Sequence, residues 1–330
     1  KSLAPFFASF VRALGFEPMV FTEANQRILR KGIEISEVPW CAPMQMFYGV
    51  AEQMAQSDVD FILVPMIREL PRPADERTSV TCPVVQSAPA LLRQSIWRRG
   101  DAPKLLDPVI EVGPEGIHSK DFKKSVRELA RSLGVGEKWY QAWKKAATVQ
   151  DDFDKKCLEI GQRALDWAKE QGLPVIVLFG RVYTLYNDVL NSNVPKILRE
   201  LGALALPVDC LPLAPETPAF TDIYWRHGQA NVRAAHQVRR TEGLYPVYCS
   251  NYSCGPDSFV MHFFSWQMAN KPWAVIETDG HSGDAGTRTR LEAFLFCVEQ
   301  DRSLDQKTRD SRLVNDFRTI DGVSQDKIGR

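Results

Sequence analysis

Two unbroken apolar runs constrain the fold of this chain more than any other feature of its sequence. Residues 60–66 and 174–180 each have the pattern of a short strand in which apolar and polar residues do not alternate. A strand of this kind is covered on both faces, which is typical of parallel sheets. Segments with helical spacing alternate with these runs and with weaker strand-like segments. The sequence therefore predicts an α/β fold of two Rossmann-like, doubly wound parallel-sheet domains joined by a helical segment.

Changes in composition divide the chain into four predicted parts. Residues 1–107 form the first Rossmann-like domain, whose N-terminus we expect to be incomplete because a helix begins almost at residue 2. Residues 108–172 are charged and helical, and we interpret them as solvated helices that connect the two sheets. Residues 173–301 form the second Rossmann-like domain, and the polar residues 302–330 form a C-terminal appendage. The length of 330 residues is sufficient for two domains with separate cores.

Periodicity and turn residues also predict individual elements. Helices are expected at residues 3–14, 24–30, 43–56, 89–98, 225–241, 256–269 and 286–299. Strands are expected at residues 18–22, 203–207, 246–249 and 273–277, and an extended segment at 33–38.

Charge and composition exclude several classes of function. The 41 basic and 41 acidic residues give a formal net charge of zero, which argues against a nucleic-acid or anionic-membrane partner. The sequence has no membrane-spanning run and no signal peptide at its start. Seven cysteines, an odd number, do not suggest a disulfide framework, so we expect a reducing cytoplasm. The phosphate-binding, dinucleotide-binding, zinc-protease and nucleophile-elbow motifs are also missing.

Three cysteines share one local pattern. Cys41, Cys82 and Cys254 each follow an extended run, and a proline comes within the next two residues. A thiol at such a break projects into the crevice where open α/β sheets bind ligands. Three thiolates can bind three of the four irons of a cubic iron–sulfur cluster and leave the fourth iron open. The competing interpretation is three inert, buried thiols. Of the other cysteines, Cys249 and Cys210 are possible additional ligands, whereas Cys157 and Cys297 lie in helical patterns and are assigned to the core.

Three polar loops supply further candidates for a site. In residues 251–258, Gly255 lets the backbone approach a ligand, and the N–H groups of the following helix favour a thiolate. In residues 277–286, His281 and Asp284 are candidate catalytic residues, and Arg181 is a third in the loop after the run at 174–180. The alternative is that these are ordinary turns stabilised by internal hydrogen bonds.

Several longer motifs carry a family resemblance. In the first half these are the segments at 16–29, 41–43, 61–65 and 81–87, and in the second half they are those at 180–183, 251–258 and 281–294. They are similar to the acyl-CoA dehydratase activase-related proteins, which are related to the 2-hydroxyacyl-CoA dehydratase subunits and the double-cubane cluster proteins. The similarity covers roughly residues 5–301 and is weakest across 100–172.

The resemblance implies two Rossmann-like domains around an iron–sulfur cluster that three cysteines hold. By position these are Cys41, Cys82 and Cys254, and the cofactor is a [4Fe-4S] cluster or a double-cubane [8Fe-9S] cluster. The resemblance also implies a partner, an activase ATPase with its own iron–sulfur cluster, on a separate chain or in a missing segment. A homodimer or heterodimer is expected.

Three functional hypotheses follow. The first is a redox component, similar to an oxidoreductase or a dehydratase, which accepts low-potential electrons from the activase and passes them to a substrate or second cluster. The second is a non-catalytic scaffold or regulatory module that docks the ATPase or a partner subunit. The third is a small-molecule enzyme that uses the loop at residues 279–284 without a metal. The sequence does not identify the substrate.

Overall fold

The computed structural model describes residues 3–72, 77–100, 102–279 and 284–304. In its first half the helices and strands are α1 (Ala4–Leu14), α2 (Gln26–Ile35), α3 (Ala42–Ala55), β1 (Phe61–Leu63), β2 (Met66–Ile67), α4 (Pro83–Ser95), β3 (Lys104–Leu106), β4 (Val109–Ile110), α5 (Lys120–Ser132) and α6 (Trp139–Glu170). In its second half they are β5 (Val175–Gly180), α7 (Val182–Leu185), α8 (Val194–Glu200), β6 (Leu204–Pro207), α9 (Arg226–Arg240), β7 (Leu244–Asn251), α10 (Gly255–Met268), β8 (Ala274–Thr278) and α11 (Asp284–Ser303).

The second half contains a four-stranded parallel sheet with the strand order β6-β5-β7-β8. Every residue of β5 and β7 is buried, as expected for central strands covered on both faces. Helix α9 packs against α10, and α8 packs against α11. The predicted strands and helices of this half are therefore confirmed.

The first half has a more broken sheet than the sequence predicts. Strands β1 and β3 pair in parallel, as do β2 and β4, and both pairs keep the same register. The interruption falls at Pro65 and Pro108, which have no N–H group to donate to a neighbouring strand. A mixed α/β fold with parallel sheets is thus confirmed, whereas two Rossmann-like domains and the domain boundaries stay predictions.

Three local predictions in this half are wrong. Residues 18–22 form no strand, because no other strand pairs with them and Met19 and Val20 are each 60% exposed. Residues 33–35 are helical, because α2 extends beyond its predicted end. Helix α4 begins at Pro83 and not at Pro89, since proline fits the first turn of a helix. Pro89 lies inside α4 and is buried.

The charged segment after residue 108 contributes a hydrophobic core. Helices α1, α5 and α6 enclose the buried side chains of Phe6, Phe10, Phe122 and Val126. The amide of Phe6 also donates to Oε1 of Gln150 in α6 at 3.2 Å. The expectation that these helices are solvated is therefore wrong for their inner faces, which pack on α1, whereas their role as a connector stays a prediction. Within the described ranges, no helix is both long and apolar enough to cross a membrane.

Candidate functional site

The order of the four-stranded sheet changes direction at β5, and an open sheet has its crevice at such a point. From β5 the chain moves to β6 on one side, and then crosses to β7 on the other side of β5. In open α/β sheets, ligands bind at the carboxyl ends of the strands at this switch point. The loop after β5 begins with Arg181, and the loop after β7 leads to Cys254. Two of the residues singled out in the sequence therefore flank one crevice.

A buried ion pair joins these two loops. The Nε atom of Arg181 lies 3.0 Å from Oδ2 of Asp257, and both side chains are at most 5% exposed. The same carboxylate accepts hydrogen bonds from the Ser250 hydroxyl at 2.7 Å and the Tyr248 hydroxyl at 3.3 Å. A buried charge pair requires such additional partners, since both ions have lost their water. The pair fixes the first turn of α10 relative to the end of β5.

Asn251 extends this network to the neighbouring loops. Its Oδ1 accepts from Nη2 of Arg181 and from the Thr184 hydroxyl, each at 2.8 Å. Its Nδ2 donates to the Leu190 carbonyl at 3.1 Å and to Oγ1 of Thr278 at 2.7 Å. One buried amide therefore ties together the residues that follow β5, β7 and β8.

Cys254 is the N-cap residue of α10. Its sulfur accepts a hydrogen bond from the backbone N–H of Asp257 at 3.4 Å, and its side chain is buried. Burial raises the pKa of the Cys254 thiol to about 12, although the charge of Arg181 acts in the opposite direction. The backbone N–H of Asp257 lowers this pKa, in the direction that the sequence predicts, but the effect of desolvation is larger. A β-carbon added at Gly255 would meet no atom of the described ranges within 4 Å.

Cys41 and Cys82 occupy the same position in their own helices. Each is an N-cap residue, of α3 and α4 respectively, and each is followed by a proline in the first turn. Both are partly exposed. The three cysteines that share a sequence pattern thus share the N-cap position of a helix, although only the Cys254 sulfur accepts a hydrogen bond from a backbone N–H of its helix.

Contacts connect each of these helix starts to the crevice. Ala42 beside Cys41 belongs to a buried cluster that contains Leu190, and the carbonyl of Leu190 accepts from Asn251. Two residues before Cys82, the Val80 amide donates to the Tyr224 carbonyl at 2.9 Å. The ring of the adjacent Trp225 lies 5.3 Å from that of Phe259 in α10.

The assignment of the three cysteines as a ligand set stays a prediction. Among the described residues, no group of three His, Cys, Asp or Glu side chains is close enough to hold a single metal ion. Thiolates on one ion stand within about 4 Å of each other, whereas three corners of a cube need sulfurs about 6–7 Å apart. A site for one metal ion therefore differs in geometry from a site for a cluster, and the absence of the first among the described residues does not test the second.

The remaining candidates have different outcomes. His281 lies outside the described residues, as does the side chain of Asp284. Cys249 is buried within β7, and burial raises its thiol pKa to about 12. Cys210 is buried, with its sulfur 3.5 Å from the Tyr186 hydroxyl. Cys157 is partly buried and packs against the core. Cys297 is exposed, so its assignment to the core is wrong.

Sequence reasoning missed the role of Asp257. It noted Asp257 only as part of a motif, and the pairing with Arg181 was not expected. The sequence did contain a signal for this pair. Arg181 follows β5, and Asp257 lies in the helix that follows β7. The two residues meet because β5 and β7 are adjacent parallel strands. Tyr183, which the sequence offers beside Arg181 as a residue that could line the same crevice, is the third group around the guanidinium, and its hydroxyl accepts from Nη1 of Arg181 at 3.4 Å.

Comparison with known proteins identifies the first two thirds of the chain. A family model described as the CoA enzyme activase uncharacterised domain matches residues 1–211. The matched region contains Cys41, Cys82 and Arg181 and ends before Cys254. No curated protein and no solved structure gives a significant match.

Proposed function

Because the chain belongs to the family described as the CoA enzyme activase uncharacterised domain, and is thus related to the acyl-CoA dehydratase activases, we propose that it is an iron–sulfur redox protein. It accepts low-potential electrons from an ATP-dependent activase and passes them to a substrate or to a second cluster. Cys41, Cys82 and Cys254 are the proposed ligands. The bound cluster, [4Fe-4S] or [8Fe-9S], supplies one-electron chemistry.

The observation that carries the proposal is the shared setting of the three thiols. Each is the N-cap residue of a helix with proline in its first turn. The exposed N–H groups and positive end of a helix dipole stabilise thiolates and other anions. Cysteine is common as a buried apolar residue, but helix caps are normally Ser, Thr, Asp or Asn. Three cysteine caps in one chain therefore favour a ligand function over packing.

The surroundings of Cys254 also suit an anionic group. Burial and the Asp257 carboxylate raise the pKa of Cys254, whereas the charge of Arg181 lowers it. Asp257, Asn251 and Tyr183 hold the guanidinium in place. Iron binding would displace the thiol proton and supply the positive charge that the buried sulfur lacks. The role of Arg181 in this proposal is electrostatic, to stabilise negative charge at the end of β7.

The proposed partner is an activase ATPase with its own iron–sulfur cluster, on a separate chain or in another segment of a longer polypeptide. An electron donor must approach close to the ligands. Helix α10 begins beside Cys254 and presents Phe259, Phe263 and Trp266, each more than 40% exposed. Exposed aromatic residues at this spacing are typical of an interaction surface.

Anaerobic purification tests the proposal directly. We expect brown protein with about four or more irons per chain, as a cluster held by three cysteines requires. Cys82→Ser should remove most of this iron and the visible absorbance, because serine replaces a thiolate ligand. Cys297→Ser is the matched control, since Cys297 is exposed and stands outside the proposed ligand set, and it should retain the iron.

Colourless, iron-free protein after reconstitution with iron and sulfide would contradict the proposal. The alternative is then a non-catalytic module that docks the ATPase or a partner subunit, with inert cysteines. Equal iron content in the Cys82→Ser and Cys297→Ser variants would instead remove Cys82 from the ligand set. Circular dichroism of both variants separates loss of iron from loss of folding.

A further inference from the structure

A cavity of about 470 Å³ lies beside the crevice, outside the proposed cluster site. Residues of α6, the start of α9, residues 70–71 and residues 208–213 line it, and Gly180 and Val182 form the wall that it shares with the crevice. This volume is in the range of small-molecule sites in proteins.

Most of the cavity wall is apolar. Leu3, Phe153, Val182, Leu211 and Leu213 are among the side chains that face it. Such a wall accommodates the hydrocarbon body of a ligand, and it contributes binding free energy in proportion to the apolar area that is buried.

The polar groups of the cavity come mainly from the first turns of α9. Arg226, His227, Asn231 and Arg233 lie on this side, which carries no carboxylate. The acidic residues that line the cavity are Asp154, which is exposed, and Asp209, which is partly exposed. The wall that α9 forms is therefore positively charged relative to the walls that carry Asp154 and Asp209.

Arg233 brings a buried positive charge to this wall. Its side chain is buried, and its Nε and Nη2 atoms donate to the carbonyls of Pro218 and Thr217, each at 3.3 Å. Within the described part of the chain, no carboxylate pairs with this guanidinium. A buried charge without a counter-ion is costly, and Nη1 remains for a charge-assisted hydrogen bond to an anion.

His227 adds a directed polar contact. Its ring packs edge-on against Tyr183 with a centroid distance of 6.0 Å, and neither ring nitrogen has a hydrogen-bond partner among the described residues. Burial, and then the charges of Arg226 and Arg181, lower the pKa of His227 to about 3. The imidazole is therefore neutral at pH 7 and offers one donor and one acceptor to a bound molecule.

We propose that this cavity binds a small organic carboxylate, with the apolar body against the leucine wall and the carboxylate on Arg233. His227 donates its N–H to the second carboxylate oxygen or to a neighbouring polar group of the ligand. A cation is disfavoured by the two arginines, and a phosphate would leave most of its oxygens facing apolar side chains. The inference does not depend on bound iron.

Three probes of one shape test the charge preference. Benzoate, benzyl alcohol and benzylamine have the same aromatic body and an anionic, neutral or cationic end. Titration calorimetry on the full chain, purified without iron, should show benzoate binding at least about tenfold more tightly than the other two. Equal affinity for the three probes, or no binding of benzoate at millimolar concentration, overturns the proposal.

Two variants test the location. Arg233→Gln should weaken benzoate at least about tenfold and leave benzyl alcohol almost unchanged, and Ala230→Phe should abolish the binding of both by filling the cavity. Arg240→Gln, an exposed arginine at the other end of α9, is the matched control and should bind benzoate like the unmodified chain. Unchanged benzoate affinity in folded Arg233→Gln contradicts the assignment. If Arg233→Gln does not fold, the binding of benzoate to folded Ala230→Phe contradicts the assignment instead.

Discussion

Arg181 and Asp257 are the residues on which the candidate site depends most. Their charged groups lie 3.0 Å apart in the interior, between the ends of two adjacent strands. Replacement of a buried ion pair by apolar residues is often tolerated, whereas removal of one partner leaves an uncompensated charge. The pair is therefore a sensitive position for testing the geometry of the crevice.

Asp257→Asn should lower the free energy of unfolding by about 3–5 kcal/mol, because the Arg181 guanidinium would stay buried without its counter-ion. Urea unfolding followed by circular dichroism measures the change. Glu200→Gln is the control, since Glu200 pairs with Arg288 at the surface and both side chains are at least 40% exposed. The control should change the free energy of unfolding by less than about 1 kcal/mol. Similar decreases in the free energy of unfolding of the two variants would show that the buried pair stabilises the fold no more than the surface pair does.

Lys271 is a second buried charge, away from the crevice. Its Nζ donates to the carbonyls of Val238 and Thr241 at 2.6 and 2.7 Å, at the C-terminus of α9. Burial lowers the pKa of Lys271 from 10.5 to about 7. Between these values the unfolded chain carries a proton that the folded protein lacks, so this group makes the free energy of unfolding increase with pH.

Lys271→Met should remove that dependence. The difference in free energy of unfolding, unmodified chain minus variant, should grow between pH 7 and pH 10 by at most about 1.4 kcal/mol per pH unit. Urea unfolding of both proteins at three pH values gives this difference. A difference that stays constant with pH would show that the lysine is protonated in the folded protein throughout.

At the scale of elements, two glycines allow α2 and α3 to cross closely. A β-carbon on Gly32 would lie 1.7 Å from the carbonyl oxygen of Gln45, and one on Gly49 would lie 2.0 Å from that of Ile28. The obstacles are backbone atoms, so a rotamer change does not relieve the clash. This crossing positions the start of α3, and hence Cys41.

Gly49→Ala should therefore destabilise the chain by about 1–3 kcal/mol, although alanine is the better helix former. Gly286→Ala in α11 is the control, because a β-carbon there meets no atom of the described residues within 4 Å. The control should stabilise the chain by about 0.5–1 kcal/mol. Thermal unfolding of the two variants gives the comparison, and stabilisation by both would mean that the helices cross less closely than described.

At the scale of the whole molecule, loops from the two halves interlock around the crevice. The Asn187 side chain donates to the Ala24 carbonyl at 2.7 Å, and that of Gln229 donates to the Thr78 carbonyl at 2.8 Å. The guanidinium of Arg226 reaches the Pro71 carbonyl at 2.8 Å. These contacts hold the segments that carry Cys41 and Cys82 against the half that carries Cys254. The proposed ligands therefore lie at the starts of three helices, and tertiary contacts join the segments that flank those helices.

Local features were predicted well because their causes are local. The four-stranded sheet follows from apolar runs such as residues 174–180, and the starts of α3 and α10 follow from Pro43 and Pro256. The broken first sheet was not predicted, because the effect of Pro65 depends on its pairing with the segment around Pro108. The core of α1, α5 and α6 was missed because charged residues dominate the composition of that segment, whereas one apolar face decides its packing.

The sequence by itself determined the α/β class, the family and the helix starts after Cys41 and Cys254, because periodicity, proline and motif order act within a few residues. Only the tertiary structure decided that Asp257 neutralises Arg181, that Asn251 joins three loops, and that Arg233 faces a cavity without a carboxylate partner in the described chain. These are interactions between groups far apart in sequence, and their strength comes from burial. Burial is a property of the folded chain, so it cannot be predicted from a local sequence pattern.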